Sequence, residues 1–411
     1  MDIYDLFFYM SIGAGFLMAF NLGANDVANS MASAVGARAI TVRQAIFIAG
    51  ILNFVGAVLL GSHVTATVSK GIINASEISD PKLIMVGMFA ALLAAGLWVL
   101  VSTLTSLPVS STHSIVGAIM GFGIVAGGPG VVNWLKIGGI VLSWIISPFF
   151  AAAIAYFIFT HIRRTILYEK HFIDQARKWA PRWVALTVSL VIFSFLYKTP
   201  LGQSLGLHWS MSVLVAVVLS LLVWLGGKYV LRNLVLDPEA GAEAVEGVFR
   251  KMQVGTSCYV ALSQGANDVA NAIGPVAAIY LIAREHVLLP TAEVPIGILV
   301  MGGLGISVGI AVLGHKVMST VGEKITTLTN TRGFAVDFGA ASTVLVASNM
   351  GLPVSTTHAA VGGVVGVGLA RGFSAVDFRV LGKIVVYWVL TVPIAAFTSI
   401  VLFVLLKWLF L

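Results

Sequence analysis

Two short stretches, GANDVANS at 23–30 and GANDVANA at 265–272, place carboxylates inside otherwise apolar segments. Their acids are Asp26 and Asp268, and a carboxylate at the centre of a bilayer costs at least about 3 kcal/mol and usually marks an ion path. No lysine or arginine stands near either acid in the sequence, so a bound cation is the simplest countercharge. Oxygen ligands suit Na⁺, and a proton is the alternative. The amides that accompany the acids are Asn25, Asn29, Asn267 and Asn271.

A second pair of motifs, PVSSTH at 108–113 and PVSTTH at 353–358, combines a proline with a row of hydroxyls. The proline ends or kinks the preceding helix, and the serine two residues later is a good N-cap for the next one. Hydroxyls above exposed N–H groups can bind an oxyanion without a fixed positive charge. His113 and His358 are proton carriers, ligands or structural hydrogen-bonding groups, and we favour the structural role. The hydroxyl residues are Ser110, Ser111, Thr112, Ser355, Thr356 and Thr357.

Together these motifs predict a site where the binding of an anion is coupled to the binding of cations. Two aspartates and an oxyanion sum to three or four negative charges, which repel one another strongly in a site of low dielectric constant. The anion can therefore bind only when cations bind with it, which is symport. An intramembrane hydrolase is a different reading, but Ser111 and His113 are two residues apart, so on a helix their side chains diverge.

The composition restricts the chain to the membrane proteins. Hydrophobic residues make up 58% of it and charged residues 10%, against about 25% charged in a soluble domain. The apolar runs have the length of membrane helices, not of the alternating strands of a barrel. The net charge of +7 falls in short loops, so we expect no nucleic-acid partner.

About twelve apolar spans can be placed along the sequence. Two of them, 114–128 and 356–370, are short for a membrane crossing, and we predict re-entrant pieces there. The spans lie at 5–35, 42–61, 83–107, 114–128, 134–160, 184–199, 209–227, 252–283, 294–314, 334–350, 356–370 and 379–410.

The sequence repeats itself. The GAND motifs recur at an offset of 242 residues and the PVS motifs at 245, in the same order. We therefore predict a first repeat at 1–160, a central linker with two membrane helices and cytoplasmic loops at 161–250, and a second repeat at 251–411. Lysine and arginine in the two polar loops place those loops in the cytoplasm and both termini outside. An odd number of crossings separates the GAND spans, so the repeats are inverted, as in transporters with a substrate site at the repeat interface.

The two GAND spans are about thirty residues long, more than the roughly 20 that one crossing requires. We therefore expect these helices to break at Gly23 and Gly265, where the freed backbone groups would line the site.

The four motifs resemble those of the PiT family of inorganic phosphate transporters, and the resemblance covers nearly the whole chain. It implies a transporter and not an enzyme: Na⁺-coupled uptake of inorganic phosphate across the plasma membrane, with alternating access between the inverted repeats. H⁺-coupled phosphate transport or a sulfate permease is the alternative, because relatives of the same architecture include sulfate permeases. The resemblance also implies a homodimer with outside termini. One difference beside the motifs is Leu22 against Gln264, so the two copies need not hold cations equally.

The resemblance also assigns the site residues. At least two Na⁺ ions are expected. Their ligands would be Asn25, Asp26, Ser110, Asn267, Asp268 and Ser355. The phosphate site would be formed by Asn25, Asp26, Asn29, Ser110, Ser111, Thr112, Asn267, Asn271, Ser355, Thr356 and Thr357.

Overall fold

The computed structural model describes residues 2–61, 71–74, 77–78, 80–198, 202, 205–233, 241–286, 294–349 and 354–411. Within these residues the chain forms twelve α-helices. In chain order they are α1 (Ile3–Gly36), α2 (Val42–Leu60), α3 (Pro81–Leu104), α4 (Ser111–Gly127), α5 (Trp134–Ile162), α6 (Phe172–Lys198), α7 (Trp209–Asn233), α8 (Ala242–Glu285), α9 (Ile296–Ser319), α10 (Asn330–Asn349), α11 (Thr356–Arg371) and α12 (Phe378–Phe410).

These helices correspond one to one to the twelve predicted spans, which confirms the all-α membrane fold. Eight of the described helices are long and apolar enough to cross a membrane by length and composition. The two spans predicted to be short are short: α4 has 17 residues and α11 has 16. The largest extensions beyond the predicted spans are at the starts of α6 and α8, which begin about ten residues earlier. Those turns contain glutamate, lysine and arginine, which form helices well although they are polar.

The predicted helix breaks at Gly23 and Gly265 are wrong, because α1 and α8 run through both motifs without interruption. Instead, each glycine allows a neighbouring helix to cross at close distance. A Cβ atom on Gly23 would collide with the backbone carbonyl of Ile306 on α9, and one on Gly265 with that of Asn53 on α2. In the first half of the chain, the helical structure near the motifs is interrupted between α3 and α4, where Ser106 has a φ of 59°.

The packing of the helices follows the internal repeat. α1 packs on α8, and each of them also packs on a helix of the other half: α1 on α9 and α8 on α2. In the same way α5 packs on α11 and α12 on α4. The two halves therefore interleave, and α1 and α8 lie together in the interior with their polar motifs buried. The inverted orientation of the repeats stays a prediction.

The two linker helices, α6 and α7, pack mainly on each other. α7 exposes a nearly continuous surface of leucine and valine, as a helix facing lipid does. α6 also touches α8 and α10, which brings it close to the buried acid Asp337 on α10.

Candidate functional site

The two motif acids lie in the protein interior. Asp26 on α1 is 2% exposed and Asp268 on α8 is 3% exposed, and they are close enough for their charges to interact. Neither acid has a basic partner among the described residues. The ion pairs among the described residues are Arg177 with Asp174 and Arg284 with Glu285, both outside the site.

Each of these acids has one paired and one unpaired oxygen. The Ser111 hydroxyl donates to Asp26 Oδ2 at 2.6 Å, and the Asn267 amide donates to Asp268 Oδ1 at 3.2 Å. The other oxygen of each, Oδ1 of Asp26 and Oδ2 of Asp268, is buried and has no hydrogen-bond partner among the described residues. Buried acceptors are rarely left without a partner, so these two oxygens are available to a cation.

Asn25 holds the segment between α3 and α4 in place. Its Nδ2 donates to Thr103 Oγ1 at 3.0 Å and to the Leu107 carbonyl at 3.2 Å. Its Oδ1 accepts from the Val109 N–H at 3.1 Å. Because these bonds occupy both its donor and its acceptor, the geometry favours a positioning role for Asn25.

Asn29 and Asn271 connect each motif to the opposite half of the chain. Asn29 Nδ2 donates to the hydroxyls of Thr356 at 3.1 Å and Thr357 at 3.0 Å. Asn271 Nδ2 donates to the Thr112 hydroxyl at 3.2 Å. The amides one helical turn beyond the first asparagine of each motif thus lie at the interface between the halves.

The two short helices begin at this interface. Ser110 and Ser355 are their N-caps and accept the N–H groups of His113 at 3.2 Å and His358 at 3.3 Å. Ser355 is predicted as a Na⁺ ligand, and in the structure its hydroxyl has this capping role as well. The remaining N–H groups of both first turns, with the hydroxyls of Thr112 and Thr356, which accept from Asn271 and Asn29, make a suitable site for an oxyanion.

The two histidines are packing groups. Their rings lie 4.5 Å apart, and each is stacked on a tryptophan: His113 on Trp144 at 3.4 Å and His358 on Trp388 at 3.8 Å. His358 Nδ1 donates to the Trp144 carbonyl at 3.0 Å. This stack holds the starts of α4 and α11 together, which favours the structural role.

A third buried acid was missed by the sequence analysis. Asp337 on α10 is 3% exposed, and its carboxylate accepts from Ser33 at 2.5 Å, Ser257 at 2.7 Å and Thr256 at 3.3 Å. No lysine or arginine pairs with it among the described residues. Its signal in the sequence is an acid inside the apolar span 334–350, but it has no counterpart in the first repeat.

A small cavity lies beside Asp337. Its volume is about 20 Å³, enough for one water molecule or one small ion. Helices α6, α8 and α10 line it, with Thr187, Thr256 and Ser342 among the polar residues. The Ser342 hydroxyl is buried and unpartnered among the described residues.

The structure therefore brings all the predicted site residues together at the starts of α4 and α11 and the middle of α1 and α8. The arrangement combines unpaired carboxylate oxygens with helix N-termini. It can hold cations and an oxyanion next to one another, and no lysine or arginine of the described residues pairs with its acids.

Comparisons with known proteins agree with this chemistry. Residues 22–399 match the family model described as the phosphate transporter family. A phosphate permease of Pyrococcus abyssi is 49% identical over 99% of both chains. The chloroplast inorganic phosphate transporter 2-1 of Arabidopsis thaliana is 38% identical over 96% of this chain and 71% of its own length.

A solved structure described as the sodium-dependent phosphate transporter matches the fold with a TM-score of 0.89 and 47% identity, over 98% of this chain and 99% of that one. The chain belongs to the phosphate transporter family.

Proposed function

We propose that the protein is a Na⁺-coupled symporter that carries inorganic phosphate across the plasma membrane. One observation carries the proposal: two buried acids, which have no basic partner in the part of the chain that the structure describes, lie beside two helix N-termini. The similar solved structure, a sodium-dependent phosphate transporter, supports the choice of Na⁺.

Electrostatics explains why transport of phosphate would be coupled. Two like charges about 4 Å apart repel by about 4 kcal/mol at an effective dielectric constant near 20. Phosphate beside Asp26 and Asp268 meets this repulsion from both carboxylates unless cations neutralise them. Bound cations remove the repulsion, so phosphate and cations bind together or not at all.

The roles of the residues follow from their contacts. The unpaired oxygens of Asp26 and Asp268 would bind at least two Na⁺ ions, with Asn267 and the two capping serines nearby. Phosphate would lie on the first turns of α4 and α11. Its donors would be the free N–H groups, the hydroxyls of Thr112 and Thr356 and the second N–H of Asn271. Ser111, Thr357 and Asn29 already donate to protein acceptors and would line the site.

Asp337 extends the cation path in this proposal. Its partner Ser33 is seven residues beyond Asp26 on α1, which is about 10 Å along the helix axis. That end of α1 leads to Arg38 and Arg43, on the side predicted to be cytoplasmic. We infer a further cation position there, reached from the cavity between α6, α8 and α10.

The crossed bonds of Asn29 and Asn271 join the halves that alternating access would move against each other. We expect these bonds to break and re-form during transport. The inverted repeats, the homodimer and the outside position of both termini belong to the same proposal.

Uptake of labelled phosphate into proteoliposomes tests the proposal. An inward Na⁺ gradient should drive accumulation, and a pH gradient without Na⁺ should not. Excess unlabelled sulfate should leave the uptake unchanged. Accumulation driven by the pH gradient alone would favour H⁺ coupling, and competition by sulfate would favour a sulfate permease.

A further inference from the structure

The two GAND motifs differ in the residue that precedes the glycine. This residue is Leu22 on α1 and Gln264 on α8. Both are buried, at 1% and 4% exposure. A buried amide in one copy and an alkyl group in the other make the surroundings of the two acids unequal.

The amide of Gln264 reaches across to α1. Its Nε2 donates to the backbone carbonyl of Asp26. Because a carbonyl oxygen can only accept, this contact fixes the orientation of the amide: the nitrogen lies toward α1 and the oxygen lies away from it. Gln264 thus joins the two motif helices at the level of the acids.

The oxygen of the same amide has no partner. Gln264 Oε1 is buried without a hydrogen-bond partner among the described residues, as are Asp26 Oδ1 and Asp268 Oδ2. Gln264 is one helical turn before Asp268, so their side chains share one face of α8 and lie close together. Three oxygens without donors therefore occur around the acids, and an unpaired acceptor inside a protein is costly.

We propose that Gln264 Oε1 is a Na⁺ ligand and makes the cation position at Asp268 the tighter of the two. Carboxylate and amide oxygens are suitable ligands for a hard cation. At Asp26, Leu22 supplies no such oxygen, so the cation there depends on fewer ligands. This inference rests on the proposed Na⁺ coupling.

Two substitutions separate the ligand role from the contact with α1. Gln264→Met keeps the length of the side chain and removes both polar atoms. Gln264→Glu keeps an oxygen, loses the N–H donor and adds a carboxylate, which binds a cation at least as well as an amide oxygen does. If Oε1 binds Na⁺, Gln264→Met should raise the Na⁺ concentration for half-maximal phosphate uptake by about tenfold or more, and Gln264→Glu should not raise it.

Asn53→Leu is the matched control, because Asn53 is a buried amide on α2 that packs against the same turn of α8 at Gly265. Among the described residues, its amide nitrogen bonds to its own helix, at the Ala49 carbonyl. We expect this variant to keep the wild-type Na⁺ dependence.

Uptake is measured in proteoliposomes at saturating phosphate, and the binding of ²²Na⁺ to purified protein provides a second readout that does not require transport. An unchanged half-saturation in Gln264→Met, or equal losses in both Gln264 variants, would overturn the ligand role. Wild-type uptake that does not depend on Na⁺ would instead overturn the proposed function, so the two failures are distinguishable.

Discussion

Because α1 and α9 cross closely at Gly23, replacing a glycine of α1 by alanine should lower the stability of the protein at this crossing but not at Gly13 of the same helix. Gly23→Ala should destabilise the protein, because the added methyl group would overlap the Ile306 carbonyl. Backbone atoms cannot move aside as a flexible side chain can. Overpacking of this kind costs about 1–3 kcal/mol, against about 1 kcal/mol gained when alanine replaces glycine in a helix. We expect a net loss of up to about 2 kcal/mol, together with weaker phosphate uptake, because α1 also carries Asp26.

Gly13→Ala is the matched control on the same helix. A Cβ atom there has no heavy atom within 4 Å, so only the gain in helix propensity remains. Its stability should equal or exceed that of wild type. Both variants are compared by thermal unfolding in detergent and by uptake in proteoliposomes. Equal stability of Gly23→Ala and Gly13→Ala would refute the close crossing of α1 and α9.

Three further predictions concern the site. Asp26→Asn or Asp268→Asn should abolish Na⁺-dependent phosphate uptake while the protein stays folded, because each removes a charge that a cation balances; full uptake in either variant would contradict the coupling. Ser111→Ala removes the 2.6 Å bond to Asp26 and should lower the free energy of unfolding by about 1.5–3 kcal/mol, the contribution of a hydrogen bond to a charged acceptor, measured by thermal unfolding in detergent. Asp337→Asn should make the dependence of phosphate uptake on Na⁺ concentration less steep. An unchanged dependence would exclude Asp337 from the cation path.

The fold could be predicted from the sequence because the length of apolar runs is set by the thickness of the bilayer. The number of spans and the short α4 and α11 followed from that length. The starts of α6 and α8 did not follow from it, because polar residues that form good helices resemble loops in a hydropathy pattern. The breaks at Gly23 and Gly265 were wrong, since glycine permits both a broken helix and a close crossing. Only the neighbouring helix decides between these outcomes.

The proximity of the candidate site residues could be predicted because two nearly identical motifs mark them twice. The separate roles of the residues within the site could not be predicted. Asn25 resembles Asn29 in the sequence, yet it bonds to the α3–α4 segment while Asn29 bonds to the other half. Asp337 was missed because its partners come from other helices: Ser33 is about three hundred positions away. Such contacts exist only in the folded chain.

The departures from the repeat have an energetic consequence for the proposed transport cycle. In an exact inverted repeat, the outward-facing and inward-facing forms would have equal free energies in identical solutions. A contact that exists in one copy only can make these energies unequal. Gln264 and Asp337 belong to the second half and have no counterpart of the same residue type in the first, although both contact α1. A single hydrogen bond is worth about 1 kcal/mol, which changes a population ratio about fivefold. If the Gln264 contact with Asp26 forms in only one of the two forms, it would therefore favour that form of the empty transporter by about this factor.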